Sequence, residues 1–305
     1  MEIPLSGHDP VLLTEVIDGL QPQAGRVVID CTLGRAGHAG ALAARLGPTG
    51  TLVGLDADPR NLEYARQRLE RAPCQVRLFH ANFSELGEVI TALGRTTVDG
   101  IFADLGISTN QLFDATYGMS FSQPMPLDMR IDPRQPRSAA DLVNTLREED
   151  LANVLYEMAQ ERYSRRIARK ITDARRLSPI TSTERLAELV RSAIPHRGGA
   201  PEKIDPATRT FLALRMAVNQ ELENLAALLD AAPKFLSSGG RFAVISFQSM
   251  EDRLVKQSFR SAEQTGMLKI LTNKPLTPSP EEIAVNPRSR SAKLRVAEKS
   301  KRTED

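Results

Sequence analysis

The chain has 305 residues, of which 41% are hydrophobic and 26% charged, and its net charge is +2. Such a composition fits a folded globular protein and excludes a disordered or collagen-like one, and no apolar run is long enough to span a bilayer. The length exceeds the needs of one ordinary core, so one large domain with an insertion, or two domains, is expected.

The opening "MEIPLSGHDPVLL" lacks a basic segment followed by an apolar one, so no signal peptide is expected. Cys31 and Cys74 lie in or beside strand-like runs without metal-ligand spacing. They read as buried thiols of a reducing, cytoplasmic protein. "GRVVIDCTL" is a short apolar run rich in β-branched residues, a buried strand, and "AGALAARL" follows at helical spacing. "GTLVGLDAD" is a second strand, and "PRNLEYARQRLERA" is a helix with Pro59 in its first turn. "QVRLFHANF", the helix "SELGEVITAL" and the strand "VDGIFADLG" complete an alternation that implies a parallel sheet with right-handed crossovers.

The alternation breaks near Met125. Residues 125–205 are mainly helical and charged, which suggests an inserted helical subdomain for substrate recognition between two parts of the sheet domain, 1–124 and 206–305. Its outgoing boundary falls in the Gly- and Pro-rich "HRGGAPEKIDPATRTF". Asp205 and Pro206 suit the N-cap and first position of a helix. Phe211, Leu214, Val218, Leu222 and Leu225 should turn one face of that helix to the sheet. "GGRFAVISF" is a further strand and "MEDRLVKQSF" a further helix. Two segments are strongly basic. "ERYSRRIARKITDARR" is either a solvated helix face or a surface for RNA, and the tail "NPRSRSAKLRVAEKSKR" is either solubilising or tracks phosphates.

Ligands of a doubly wound sheet bind at the carboxyl ends of its strands. Three features lie there: the turn "DCTLGRAGHAG", Asp56 ending the second strand, and Asp104 ending the fourth beside "LGISTNQ". Gly34 and Gly37 allow a tight turn and close approach of a ligand. A carboxylate at Asp56 can accept both hydroxyls of a ribose. A dinucleotide fingerprint needs G-x-G-x-x-G, but Arg35 and Ala36 follow Gly34, so the middle glycine is missing. S-adenosylmethionine has no phosphate to seat, and Asp30 and His38 offer polar groups for its amino-acid end. Each residue also has a structural reading: Asp56 or Asp58 as helix caps, His38 as a helix-start residue, Phe83 as core.

The ordered motifs "HDPVLL", "CTLGRAGHAG", "GLDADP", "ANFSEL", "FADLGISTNQL", "GMSF", "PLDMRID", "DPATRTFLALRMAVNQEL", "SFQSMEDRLVK" and "NPRSRSAKLR" span nearly the whole chain. In these the sequence resembles the bacterial family that methylates N4 of a cytidine in 16S ribosomal RNA. The resemblance implies an α/β fold: a class I S-adenosylmethionine-dependent methyltransferase, a Rossmann-like doubly wound sheet, with the inserted helical subdomain. It implies S-adenosylmethionine as cofactor and places the donor on Ala36, Gly37, His38, Asp56, Phe83, Asp104 and Gln111. The partner it implies is 16S rRNA of the small ribosomal subunit, with no membrane involved, and a homodimer is compatible with it. The family usually has Gly at Ala36, and two serines and a Pro at Ser108, Thr109 and Asn110. It has Arg at Tyr117 (in "RGFSF"), His at Asp205 and His at Gln248. A divergent enzyme with the same target and a paralogue acting elsewhere both fit these departures.

The exocyclic amine of cytosine is a poor nucleophile because its lone pair is delocalised. An enzyme must hold that nitrogen in line with the methyl group and offer acceptors to its hydrogens; no metal is required. Asp104, with Ser108 and the turn between them, is the expected acceptor. Asp128 of "PLDM" is a second candidate, or else a turn cap. The target base must leave its stack, and Phe121 or Arg130 could receive it. Arg130, Arg209, Arg215, Arg253, Lys256, Arg288 and Arg290 are the candidate RNA contacts. Asn219 and Gln248 either meet RNA or stabilise loops. Three rivals remain: a nicotinamide-dependent oxidoreductase, a non-catalytic RNA-binding protein, and a DNA methyltransferase. The last is weakened because "DLGIS" replaces the usual proline-containing tetrapeptide.

Overall fold

The computed structural model describes residues 10–195 and 205–301. His8 and Asp9 of "HDPVLL", the "HRGGAPEKI" part of the expected boundary loop, and Arg302, the last residue of the basic tail, lie outside them. The chain divides into two compact units, residues 1–106 with 222–305, and residues 107–221.

The first unit begins with α1 (Leu13–Leu20), β1 (Val27–Asp30), α2 (Gly37–Leu46), β2 (Thr51–Asp56), α3 (Pro59–Arg68), β3 (Gln75–His80), α4 (Leu86–Ala92) and β4 (Val98–Asp104). The expected elements are all present, and α1 is an addition. Every residue of β1 is buried, as its continuous apolar run required. The Asp58 side chain accepts from the Arg60 backbone N–H and Pro59 opens α3, a cap readable from residue types alone.

The second unit carries α5 (Thr109–Phe113), α6 (Ala139–Thr145), α7 (Glu148–Ala159), α8 (Ser164–Arg175), α9 (Thr183–Ala193) and α10 (Ala207–Val218). Its core joins Leu142, Leu151, Leu155, Ile167, Ile171, Leu186 and Val190 to Phe211, Leu214 and Val218. The compact helical unit spans residues 107–221 and contains the expected 125–205 segment. One expectation is corrected: α10 turns its apolar face to the helical core, not to the sheet. The cause is local. The helix breaks at Asn219, Gln220 takes a left-handed φ of 50°, and a new helix begins at Glu221, so the apolar spacing across 211–225 is not one face. Asp205 does cap α10, accepting the Ala207 N–H at 2.8 Å, and it also pairs with Arg191 at 2.8 Å.

The chain then supplies α11 (Glu221–Phe235), β5 (Leu236–Ser246), α12 (Ser249–Gln264), β6 (Leu268–Ile270), α13 (Pro280–Val285) and β7 (Lys293–Lys299) to the first unit. Leu225, Leu228 and Leu229 of α11 pack on the sheet core. The seven strands lie in the order β3-β2-β1-β4-β5-β7-β6. β1 to β5 are parallel, and β7 runs antiparallel to both β5 and β6. Residues 293–299 of the basic tail are therefore a strand of the sheet. Leu294, Val296 and Ala297 are buried, and Arg295, itself buried, donates to Asp252 at 2.7 Å.

Candidate functional site

Chain order reverses direction across the sheet between β1 and β4. A crevice outside the carboxyl ends of such strands is where open α/β sheets take ligands. Asp30, Asp56 and Asp104 end β1, β2 and β4. The turn after β1 is held from several sides. Thr32 N–H donates to Asp30 Oδ1 at 3.1 Å, and the Thr32 hydroxyl accepts the Asp104 N–H at 2.6 Å. Gly34, at φ 51°, points its N–H at Asp56 Oδ2, 2.7 Å away. Ala36 follows at φ 59° and caps α2, in the conformation that glycine adopts without strain.

Asp56 is more committed than the sequence suggested. Its Oδ1 accepts Asp58 N–H at 2.8 Å, and Oδ2 accepts Gly34 N–H and, at 3.3 Å, the Asn61 amide. A carboxylate has about four lone-pair positions. Three are taken, so one ribose hydroxyl fits directly, and a second would displace the long Asn61 contact.

His38, buried, has Nε2 at 2.9 Å from Val11 O. A carbonyl only accepts, so Nε2 carries the hydrogen. Its Nδ1 lies 3.8 Å from Asp104 Oδ2. Asp104 Oδ1 is buried and has no hydrogen-bond partner.

Three carboxyls thus gather at the strand ends, Asp30 and Asp56 buried and Asp104 partly so. Burial and the Asp56 charge raise Asp30 to about 7. Burial and the Asp58 charge raise Asp56 to about 6, against hydrogen bonds that lower it. Burial and the charges of Asp30 and Glu251 push Asp104 well above the usual carboxylate range. Such a pocket attracts a cation and repels a diphosphate. A sulfonium nucleoside bearing an ammonium group fits it; a nicotinamide dinucleotide does not.

Phe83 opens a short 3-10 turn after β3 and packs, partly buried, on the sheet core. In the second unit, Gln111 is buried in α5, and its side chain accepts the Ser108 N–H at 3.0 Å. Phe121 stacks edge-on against Phe211 at 4.6 Å, a core placement. Asp128 takes the turn-cap alternative, accepting the Arg130 backbone N–H at 3.1 Å. Both of its oxygens receive Arg130, at 2.7 and 2.8 Å, and that partner holds its carboxyl below the usual range. Arg215 forms a two-pronged pair with Glu221 at 2.8 and 2.9 Å, with both side chains largely buried, which leaves little of its guanidinium open to a phosphate. Arg209, Arg253, Arg288 and Arg290 are exposed and Lys256 is half-buried. Among the described residues no His, Cys, Asp or Glu cluster is arranged to hold a metal, and no helix is long and apolar enough to cross a membrane.

Residue types alone missed Thr32, Asn61 and Glu251. Glu251 was within reach, since Gln248-x-x-Glu251 is a capping-box pattern, and its Oε2 accepts the Phe247 and Gln248 N–H groups at 2.9 Å. Nothing local announced Thr32.

Residues 5–300 match the MraW methylase family. The chain is 46% identical over 307 residues to the ribosomal RNA small subunit methyltransferase H of Geobacter sulfurreducens, covering 96% of this chain and 98% of that one. It is 46% identical over 299 residues to the protein of that name from Acidobacterium capsulatum, with the same coverage of 96% and 98%. A solved putative rRNA-methylase from Clostridium thermocellum superposes with a TM-score of 0.47 at 13% identity, covering 98% of this chain and 100% of that one. Matched from near its start to near its end, this chain is a member of the MraW methylase family.

Proposed function

We propose that this chain transfers a methyl group from S-adenosylmethionine to the N4 amine of a cytidine in the 16S RNA of the small ribosomal subunit, in the cytoplasm. The carrying observation is the set of uncompensated carboxyls at the ends of β1, β2 and β4, with Asp104 Oδ1 left unpartnered. The family membership and its similarity to small-subunit rRNA methyltransferases support the substrate class.

Bound S-adenosylmethionine supplies an electrophilic methyl group on a sulfonium leaving group. The chain does the rest. Asp56 takes a ribose hydroxyl, Phe83 offers a flank for the adenine, and Ala36, Gly37 and His38 line the amino-acid end. Asp104 accepts a hydrogen of the cytosine amine, which turns the nitrogen lone pair toward the methyl group. A cationic donor in the pocket favours the ionised form of Asp104, and a carboxylate whose proton affinity is raised by burial is then a competent acceptor for the proton that the amine sheds. Ser108, the N-cap of α5 in the turn after Asp104, is the second acceptor. Arg130, Arg209, Arg253, Lys256, Arg288 and Arg290 serve the RNA. The helical unit is the substrate-recognition unit.

The test is tritiated-methyl transfer to 30S particles from cells lacking this gene, followed by mass spectrometry of the modified nucleotide. Label on N4 of one cytidine is expected, and Asp104→Asn should abolish it. Failure of the wild-type protein to label the particles, or label on a different atom, overturns the assignment. Calorimetry should show binding of S-adenosylmethionine and none of NAD.

A further inference from the structure

The loop after Pro126 repeats one device twice. In "DMR", Arg130 Nε and Nη2 donate to the two oxygens of Asp128 at 2.7 and 2.8 Å. In "DPR", Arg134 Nε donates to both oxygens of Asp132 at 3.1 and 3.0 Å, and its Nη2 to Oδ2 at 2.7 Å. Each aspartate also accepts the backbone N–H of its own arginine, at 3.1 and 2.8 Å. The loop itself is clamped. The Asn219 side chain accepts from Ile131 N–H at 2.9 Å and donates to Met129 O at 2.8 Å, bracketing Arg130 like a short strand. Met129 is held at φ 66°, and Arg130 Nη1 donates to Gln135 O at 3.2 Å. The guanidiniums are nonetheless partly open, with side-chain exposures of 34% and 47%.

Charge decides what such groups can take. Residues 128–141 contain three aspartates and three arginines. A phosphate approaching either guanidinium would meet a carboxylate already bound to it, and most of the Coulomb gain would cancel. A nucleobase is neutral and suffers no such penalty. It can stack on the flat, pre-oriented guanidinium or bond to its outer N–H groups. We propose that the tandem Asp-x-Arg loop reads unpaired bases flanking the target cytidine, with Arg134 as a specificity residue beside Arg130, and Asp128, Asp132 and Asn219 as positioning residues. This inference rests on the RNA-methylation reading above.

The experiment uses full-length protein and two probes, a fluorescein-labelled oligocytidylate and the same backbone without bases. Wild-type protein should prefer the first. Arg134→Lys keeps the charge but loses the plane and fork, so it should weaken oligocytidylate binding roughly tenfold. It should leave the abasic probe and the slope of log affinity against log salt unchanged. Asp132→Asn unmasks the charge, so it should steepen that slope and reduce the preference for bases, a change that a merely structural role would not produce. The inference is overturned if Arg134→Lys binds as wild type, if both probes lose equally, or if its slope falls by about 0.7, the signature of one lost phosphate on a single strand. It is also overturned if wild type binds both probes alike. Wild-type protein that fails to methylate 30S particles refutes the earlier reading instead, so the two failures are distinct.

Discussion

Asp30→Asn tests the charge argument most directly. In the donor-free fold the Asp30 carboxyl stands at about 7 against an ordinary 3.8. A shift of about three units corresponds to roughly 4 kcal/mol once the group is ionised in both states. The folded chain holds this proton more tightly than the unfolded one. Wild-type stability therefore falls as pH climbs from about 4 to about 7 and levels above that. Asparagine keeps the Thr32 N–H contact to Oδ1 but carries no charge. The variant should match wild type near pH 4 and exceed it by roughly 2–4 kcal/mol at pH 8. For a domain of this size that is a rise in Tm of roughly 5–15 °C. The assay is thermal unfolding of donor-free protein at pH 5 and pH 8, with calorimetric titration of S-adenosylmethionine at pH 8, where the variant should bind more weakly. A variant less stable than wild type at pH 8, or a stability difference that does not change with pH, would refute the reasoning.

Donor affinity should itself rise with pH through the range of about 6 to 7, because the cation favours ionised carboxyls, and binding in that range should release protons to the buffer. Titrations in buffers of different ionisation enthalpy check this; affinity independent of pH would contradict it. Ala36→Gly should raise stability by up to about 1 kcal/mol, since the left-handed φ of 59° strains an alanine, and urea denaturation measures it. Arg215→Ala should destabilise the helical unit by about 3 kcal/mol because it strands Glu221. Arg253→Ala should leave stability within about 0.5 kcal/mol, as for an exposed surface site, and lower the salt dependence of RNA binding. Matched unfolding and binding curves separate the two roles.

Much of this protein follows from its sequence alone. The βαβ alternation, the carboxylates at strand ends and the Asp58–Pro59 cap are set by nearest neighbours in the chain and by strand and helix periods. Family motifs marked the donor side, and the missing middle glycine spoke against a dinucleotide. What the sequence left open depends on which side chains and strands the fold brings together. Arg215 and Asp128 look like free charges until Glu221 and Arg130 are seen beside them. The basic tail looks solvated until β7 is found between β5 and β6. The face of α10 could not be assigned because one left-handed residue, Gln220, ends its register. The rise of Asp30, Asp56 and Asp104 requires the strand order itself, since a carboxyl's affinity for its proton depends on burial and on charges that only the folded sheet brings together.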